Sequence, residues 1–257
     1  MSIKRTPASL RAIKEDSGVR FKPNAITAAL LATFGTQPGW AQANDITVQA
    51  GWTGTTIGTP TNGVTDITTT AVRGGTGFNQ FGKFTVDAGN TVNLNVPSNA
   101  STLVNLVHNA RAEINGTLNG LKDGKIGGNI IFADPHGMVV GASGVVNVGS
   151  LTVTTPSAAQ MSQLAAVASG ASGPDADRAA AELMAGKFND GSGTLEIKGK
   201  VNTAGSINLF GASAFVASGA SLQAGTSAAE TVFVNTVNLQ GVSVGTGVAQ
   251  ADGSIKI

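Results

Sequence analysis

Between Asn129 and Leu151 the chain reads Asn-Ile-Ile-Phe-Ala-Asp-Pro-His-Gly-Met-Val-Val-Gly-Ala-Ser-Gly-Val-Val-Asn-Val-Gly-Ser-Leu, short apolar runs cut by turn residues at spacings no helix could use. Ile130–Phe132 and Met138–Val140 have the composition of buried strands. Between them, Asp134-Pro135-His136-Gly137 carries turn chemistry: an Asx cap, a Pro that fixes φ and a Gly free to take positive φ. The pattern predicts strand, tight turn, strand, turn, strand, as in a coiled sheet.

The same unit recurs along the chain. A Gly stands two residues before an apolar position in Ile114-Asn-Gly116-Thr-Leu118, Ala142-Ser-Gly144-Val-Val146 and Ile197-Lys-Gly199-Lys-Val201, and one residue further away in Ala217-Ser-Gly219-Ala-Ser-Leu222. Short strands at such intervals predict an all-β chain, and units that cannot each bury an apolar face predict a solenoid. A parallel β-helix with about 20 residues per coil and coils about 4.8 Å apart would form a rod of roughly eight to ten coils, on the order of 40–50 Å long. A β-sandwich is the rival architecture. It would need long alternating strands around Asn62-Gly63, Asn115-Gly116 and Asn119-Gly120, and these are missing.

One segment changes period. From Pro156 to Phe188 the chain turns Ala-rich, and Ser157-Ala-Ala-Gln160 reads as a capping box ahead of Met161, Leu164, Ala165 and Ala168 at helical spacing. Gly170 to Pro174 interrupt it, and Asp175 or Asp177 caps a second helix through Leu183 and Met184 before Gly186. Residues 157–187 are thus expected to be a two-helix excursion that covers a face of the sheet rather than one that lines a ligand site.

The N-terminal region has targeting chemistry. Lys4, Arg5, Arg11, Lys14, Arg20 and Lys22 precede an apolar run from Ala25 to Phe34, too short to span a bilayer, and Ala41-Gln42-Ala43 is an A-x-A cleavage site. A signal peptide over 1–43 is expected, with the mature chain of about 214 residues starting near Asn44. Removal leaves ten basic and thirteen acidic residues, a net charge of −3, which argues against a basic nucleic-acid binder. The chain has no cysteine, which suits a polypeptide that crosses a second membrane unfolded, though a large core also needs no staples. No further apolar stretch reaches membrane-spanning length.

With these residues in view the chain resembles the secretion domain of two-partner-secretion exoproteins, the filamentous haemagglutinin type. Phe78-Asn-Gln-Phe-Gly-Lys-Phe84-Thr-Val with Gly89-Asn-Thr-Val-Asn-Leu94 is similar to the family's opening stretch, and Val96-Pro97 through Asn105-Leu-Val107 to its next block. Ile114-Asn-Gly116-Thr-Leu118 is similar to its I-x-G-x-L strand, and Asp134-Pro-His-Gly137 occupies the place of its N-P-N-G motif. Asp134 and His136 stand where that motif has Asn, and the paired N-P-N-L motif is not recognisable upstream. Phe132-Ala-Asp-Pro and Gly149-Ser-Leu-Thr-Val are more similar to the leukotoxin-type filamentous adhesin branch.

The resemblance implies a right-handed parallel β-helix, with 44–156 as the N-terminal secretion domain and 188–257 as further coils. It also implies recognition by the POTRA domains of an outer-membrane β-barrel transporter, folding at the surface of a Gram-negative cell after Sec export through the periplasm, and no cofactor. Asn105, Asp134, Pro135, His136 and Gly137 are the candidate recognition residues.

Other classes leave weaker marks. A polysaccharide-cleaving β-helix needs clustered carboxylates; Asp134 reads as a turn cap, and Asp123 with Lys125 as solvated loop charges. His108 and His136 lack metal-ligand company, and Gly74-Gly75-Thr-Gly77 lacks the Lys of a phosphate loop. A free-standing carbohydrate-binding adhesin would use flat Thr and Asn rows, but no site is marked. The C-terminal stretch Ala251–Ile257 shows no alternating aromatic strands of a self-transporting barrel; the chain is either the N-terminal part of a longer exoprotein or a truncated relative.

Overall fold

The computed structural model describes residues 44–170 and 175–225 in full, and the backbone of 232–236, 249–251 and 254–256. The predicted signal segment, with Ala41 and Ala43, lies outside the described residues.

The chain opens with β1 (Asp45–Val48), β2 (Thr55–Ile57), β3 (Val64–Thr69), β4 (Val72–Arg73) and the long β5 (Thr76–Val86). The following turns of chain carry β6 (Thr91–Val96), β7 (Thr102–Val107) and β8 (Ala112–Ile114), then β9 (Thr117–Lys122), β10 (Lys125–Ile126), β11 (Asn129–Ala133) and β12 (Gly137–Val140), then β13 (Val145–Val148) and β14 (Ser150–Thr154). Helices α1 (Ala158–Ser169) and α2 (Ala176–Met184) interrupt. The coil resumes with β15 (Thr194–Ile197), β16 (Lys200–Thr203), β17 (Ile207–Gly211), β18 (Ser213–Val216), β19 (Ser221–Gln223) and β20 (Val232–Thr236), followed by β21 (Ala249–Ala251) and β22 (Ser254–Lys256).

Three parallel ladders make a right-handed β-helix. One face stacks β3, β6, β9, β13, β16 and β19. The second stacks the first half of β5 with β7, β11, β14, β17 and β20, and the third stacks the end of β5 with β8, β12, β15 and β18. Because β5 runs through the corner, it joins the second and third faces into one sheet.

In the first coils the repeat is longer than the expected 20 residues. Side chains bonded across neighbouring coils are 26 residues apart at Asn79–Asn105 and Asn93–Asn119, and 28 apart at Asn119–Asn147. Three short strands with a turn at each corner need that length. The step from Asn147 to Asn202 is 55 residues because the two helices are inserted there, and the register is shorter at three places: 21 residues from Ile130 to Leu151, 19 from Leu195 to Ala214 and 21 from Val201 to Leu222.

The repeated glycines explain themselves at one corner. A Cβ on Gly199 would strike the carbonyl oxygens of Gly141 and Gly144, one on Gly144 that of Ile114, and one on Gly116 those of Asp87 and Asn90. The corner brings successive backbones too close for any side chain. The apolar residue two positions on, Leu118, Val146 or Val201, then points into a core shared with Phe81, Phe84, Phe132, Leu103 and Ile130, all fully buried.

The first coil is closed by antiparallel strands. β2 pairs with the free edge of β3, while β4 and β1 pair with that of β5. An open edge would template pairing with another chain, so these strands block growth in that direction.

The helices form as their caps predict. Ser157 and Gln160 make the reciprocal capping box, Asp175 caps α2, and Gly170 ends α1 in the left-handed region. Their small inward faces, including Leu164, Ala168, Ala179, Ala180 and Leu183, pack on the outer side of β5, β7 and β11 at Phe78, Val104, Leu106 and Ile131. Asp177 fixes the pair in place, accepting from the Gly75 N–H at 2.9 Å and the Thr76 hydroxyl at 2.8 Å.

Candidate recognition site

The turn 134–137 sits where the second face passes to the third, between β11 and β12. Asp134 Oδ1 accepts the His136 N–H at 2.8 Å, the Asx cap expected of this position. The Gly137 N–H closes the turn on the Asp134 carbonyl at 3.0 Å, and Gly137 has φ +92°. Oδ2 reaches back to the preceding coil and accepts the Ala112 N–H at 2.8 Å, while the Asp134 N–H donates to the Thr154 carbonyl at 3.0 Å in the coil after. One residue, through its side chain and its backbone N–H, therefore links three coils. It is wholly buried, with only the His136 ring, 47 % exposed and 3.3 Å from Oδ1, on the solvent side.

Burial raises the Asp134 pKa to about 6, and the two backbone N–H groups and the His136 ring only partly offset it. The folded chain thus holds this proton more tightly than the unfolded one, whose carboxyl titrates near 3.9. A raised carboxyl pKa costs stability above the folded value, and the cost is relieved as pH falls through it. Asp134 should contribute about 1 kcal/mol of added stability between about pH 7 and pH 5, opposed in the same window by His108, whose burial lowers its pKa, and Asp134→Asn should remove the Asp134 contribution. Glu196 does not mask it: Lys198 first, then Arg111, hold its carboxylate charged below this window. Urea unfolding at three pH values checks the prediction, which fails if the Asn variant keeps the slope.

Asn105 lies in β7 opposite Phe132. Its side chain faces the core and is completely buried, accepting Asn79 Nδ2 at 3.0 Å and donating to the Ile131 carbonyl at 3.2 Å. Asn79 Oδ1 in turn accepts the Thr55 hydroxyl at 2.9 Å, which also takes the Trp52 Nε1–H at 2.9 Å. The structure brings Asn105 and the turn onto adjoining coils, but of the five candidates only Pro135 and His136 reach the surface.

A second polar row was not foreseen. Asn202 donates to Asn147, Asn147 to Asn119, Asn119 to Asn93 and Asn93 to Asp66, each at 2.9–3.0 Å, along the outside of the first face. Its signal is in the sequence: in Gly116-Thr-Leu-Asn119, Gly144-Val-Val-Asn147 and Gly199-Lys-Val-Asn202 the Asn follows the corner Gly by three.

Nothing here gathers into catalytic geometry. Both Asp134 oxygens are occupied by protein N–H groups, and Asp123 sits on the β9–β10 turn, 68 % exposed, 3.9 Å from Lys122. Among the described residues no three His, Asp or Glu side chains come together to hold a metal ion, and no helix is long and apolar enough to cross a membrane.

Comparison with family models decides the class: the TPS secretion domain matches residues 43–257. The chain belongs to the TPS secretion domain family. Comparison with curated proteins and with solved structures returns no match. A TPS secretion domain is a transport module rather than a catalyst, and membership implies an outer-membrane transporter as partner and a secreted or cell-surface exoprotein of a Gram-negative bacterium. The TPS match spans the cap, the helical excursion and the later coils together.

Proposed function

We propose that this TPS domain is the N-terminal export signal of an adhesin-type exoprotein, delivered through Sec, cleaved between Ala43 and Asn44 on translocation, and read in the periplasm by the POTRA domains of its transporter. The observation that carries the reading is the family match, whose start at residue 43 also agrees with the Ala41-x-Ala43 cleavage site. Residues 44–156 act as the secretion domain proper, 157–187 as its helical cover and 188–257 as further coils. The Phe132-Ala-Asp-Pro135 and Gly149–Val153 segments support placement near the leukotoxin-type branch.

The burial of Asn105 and Asp134 bears on how recognition works. A partner cannot touch either in the folded helix, so the transporter reads them in the unfolded chain, where Asn- and Thr-rich segments pair with an edge strand. Pro135 and His136 remain available in both states.

The test is export from cells that carry the cognate transporter, measured beside the stability of purified protein. The exposed pair Pro135→Ala and His136→Ala should leave stability within about 1 kcal/mol while lowering export several-fold. Pro substitutions at alternate positions of 86–96 should block export by preventing strand pairing. Full export of both sets would defeat the proposal.

A further inference from the structure

A cavity of about 390 Å³ lies between α1 and the corner of the β-helix, and it gathers both histidines of the chain, His108 and His136, with Met161 and Pro135. The surroundings of the two rings define their proton positions. His136 Nδ1 faces Asp134 Oδ1 at 3.3 Å, and His108 Nε2 faces Gln80 Oε1 at 3.1 Å. An oxygen acceptor at one ring nitrogen places the imidazole proton there and leaves the other nitrogen, His136 Nε2 or His108 Nδ1, with a lone pair. Histidines that bind metals are oriented this way, with a carboxylate or amide oxygen behind the ring.

The third potential donor on the cavity wall is a thioether. Sulfur ligands of this kind select soft ions, copper(I) above all, while imidazole is acceptable to copper and zinc alike. No set of three His, Asp or Glu side chains assembles among the described residues, and Met161 on the cavity wall supplies the third donor beside the two histidines.

We propose that His108, His136 and Met161 form a copper(I) site, with Asp134 and Gln80 as positioning residues. Binding would tie α1, through Met161, to the turn at 134–137 and to the end of β7. Donors must close to within about 2.0–2.3 Å of the ion. The half-exposed His136 ring, on a turn, and the unbranched Met161 chain have the rotamer freedom to do so.

The experiment uses the purified folded chain, titrated anaerobically with copper(I) against a chromophoric copper(I) chelator, with zinc(II) as the comparison ion. One equivalent of copper(I) should bind. Met161→Leu, close to isosteric, should weaken copper(I) at least tenfold while changing zinc(II) binding little. His136→Asn should weaken both ions. Asp134→Ala, which removes the acceptor behind the His136 ring, should weaken copper(I) by about 10–100-fold through loss of the oriented ring. If His108→Gln does not fold, the exposed His136 position and the Met161 swap still decide the matter. No copper(I) retention by the unaltered chain, or retention that Met161→Leu and His136→Asn leave unchanged, overturns the proposal.

Discussion

Replacing Gly137 with Ala is expected to destabilise the folded domain by about 3–5 kcal/mol. Two independent costs meet at this residue. Its φ of +92° is one that a Cβ disfavours by about 1–2 kcal/mol. The added carbon would also strike the carbonyl and backbone nitrogen of Thr194, the residue paired with Gly137 in β15. Backbone in a ladder cannot turn aside as a long side chain can, so β12 and β15 must separate and break register. Gly219 supplies the control: its φ is +87°, yet a Cβ there would meet nothing within 4 Å. Gly219→Ala should therefore cost only the torsional part, about 1 kcal/mol. Urea unfolding of both variants separates crowding from torsion, and equal midpoints would refute this account of the corner.

The parts of the fold that could be read from the sequence are those where one face is wet. The corner glycines, the Asp134 turn and the capping box at Ser157 each announce local chemistry that no distant contact alters. The second face is different. β7 reads Thr-Leu-Val-Asn-Leu-Val and is buried at every position, because the core lies on one side and the helix pair on the other. Alternation is erased in a strand covered on both faces, so the sequence alone could not say that Asn105 points inward. The longer coil was hidden for a related reason: the glycines of the other two corners, Gly128, Gly149 and Gly205 at one and Gly137 and Gly193 at the other, stack on one another but stand in no shared sequence pattern. The antiparallel cap of β1, β2 and β4 is a matter of which edge is left free, and that is a property of the assembled stack.

Asn105→Ala should cost about 3–4 kcal/mol, the sum of an orphaned donor and a small cavity. Asn79 Nδ2 would lose its acceptor in a region that water does not reach, and the Ile131 carbonyl would lose the side-chain donor that comes from the neighbouring coil. Asn79 and Asn105 act as a unit, so the double Ala variant should be less destabilised than the two single losses added together, since removing both members leaves no unpaired amide between them. Chemical unfolding of the four proteins in the cycle measures this coupling, and strict additivity would show that the bond contributes nothing. The same four chains bear on export. Reading of Asn105 in the unfolded polypeptide predicts that Asn105→Ala reduces export more than Asn79→Ala at matched stability. Export that follows stability alone would confine Asn105 to holding the second face of the helix together, and leave Pro135 and His136 as the residues a transporter can address.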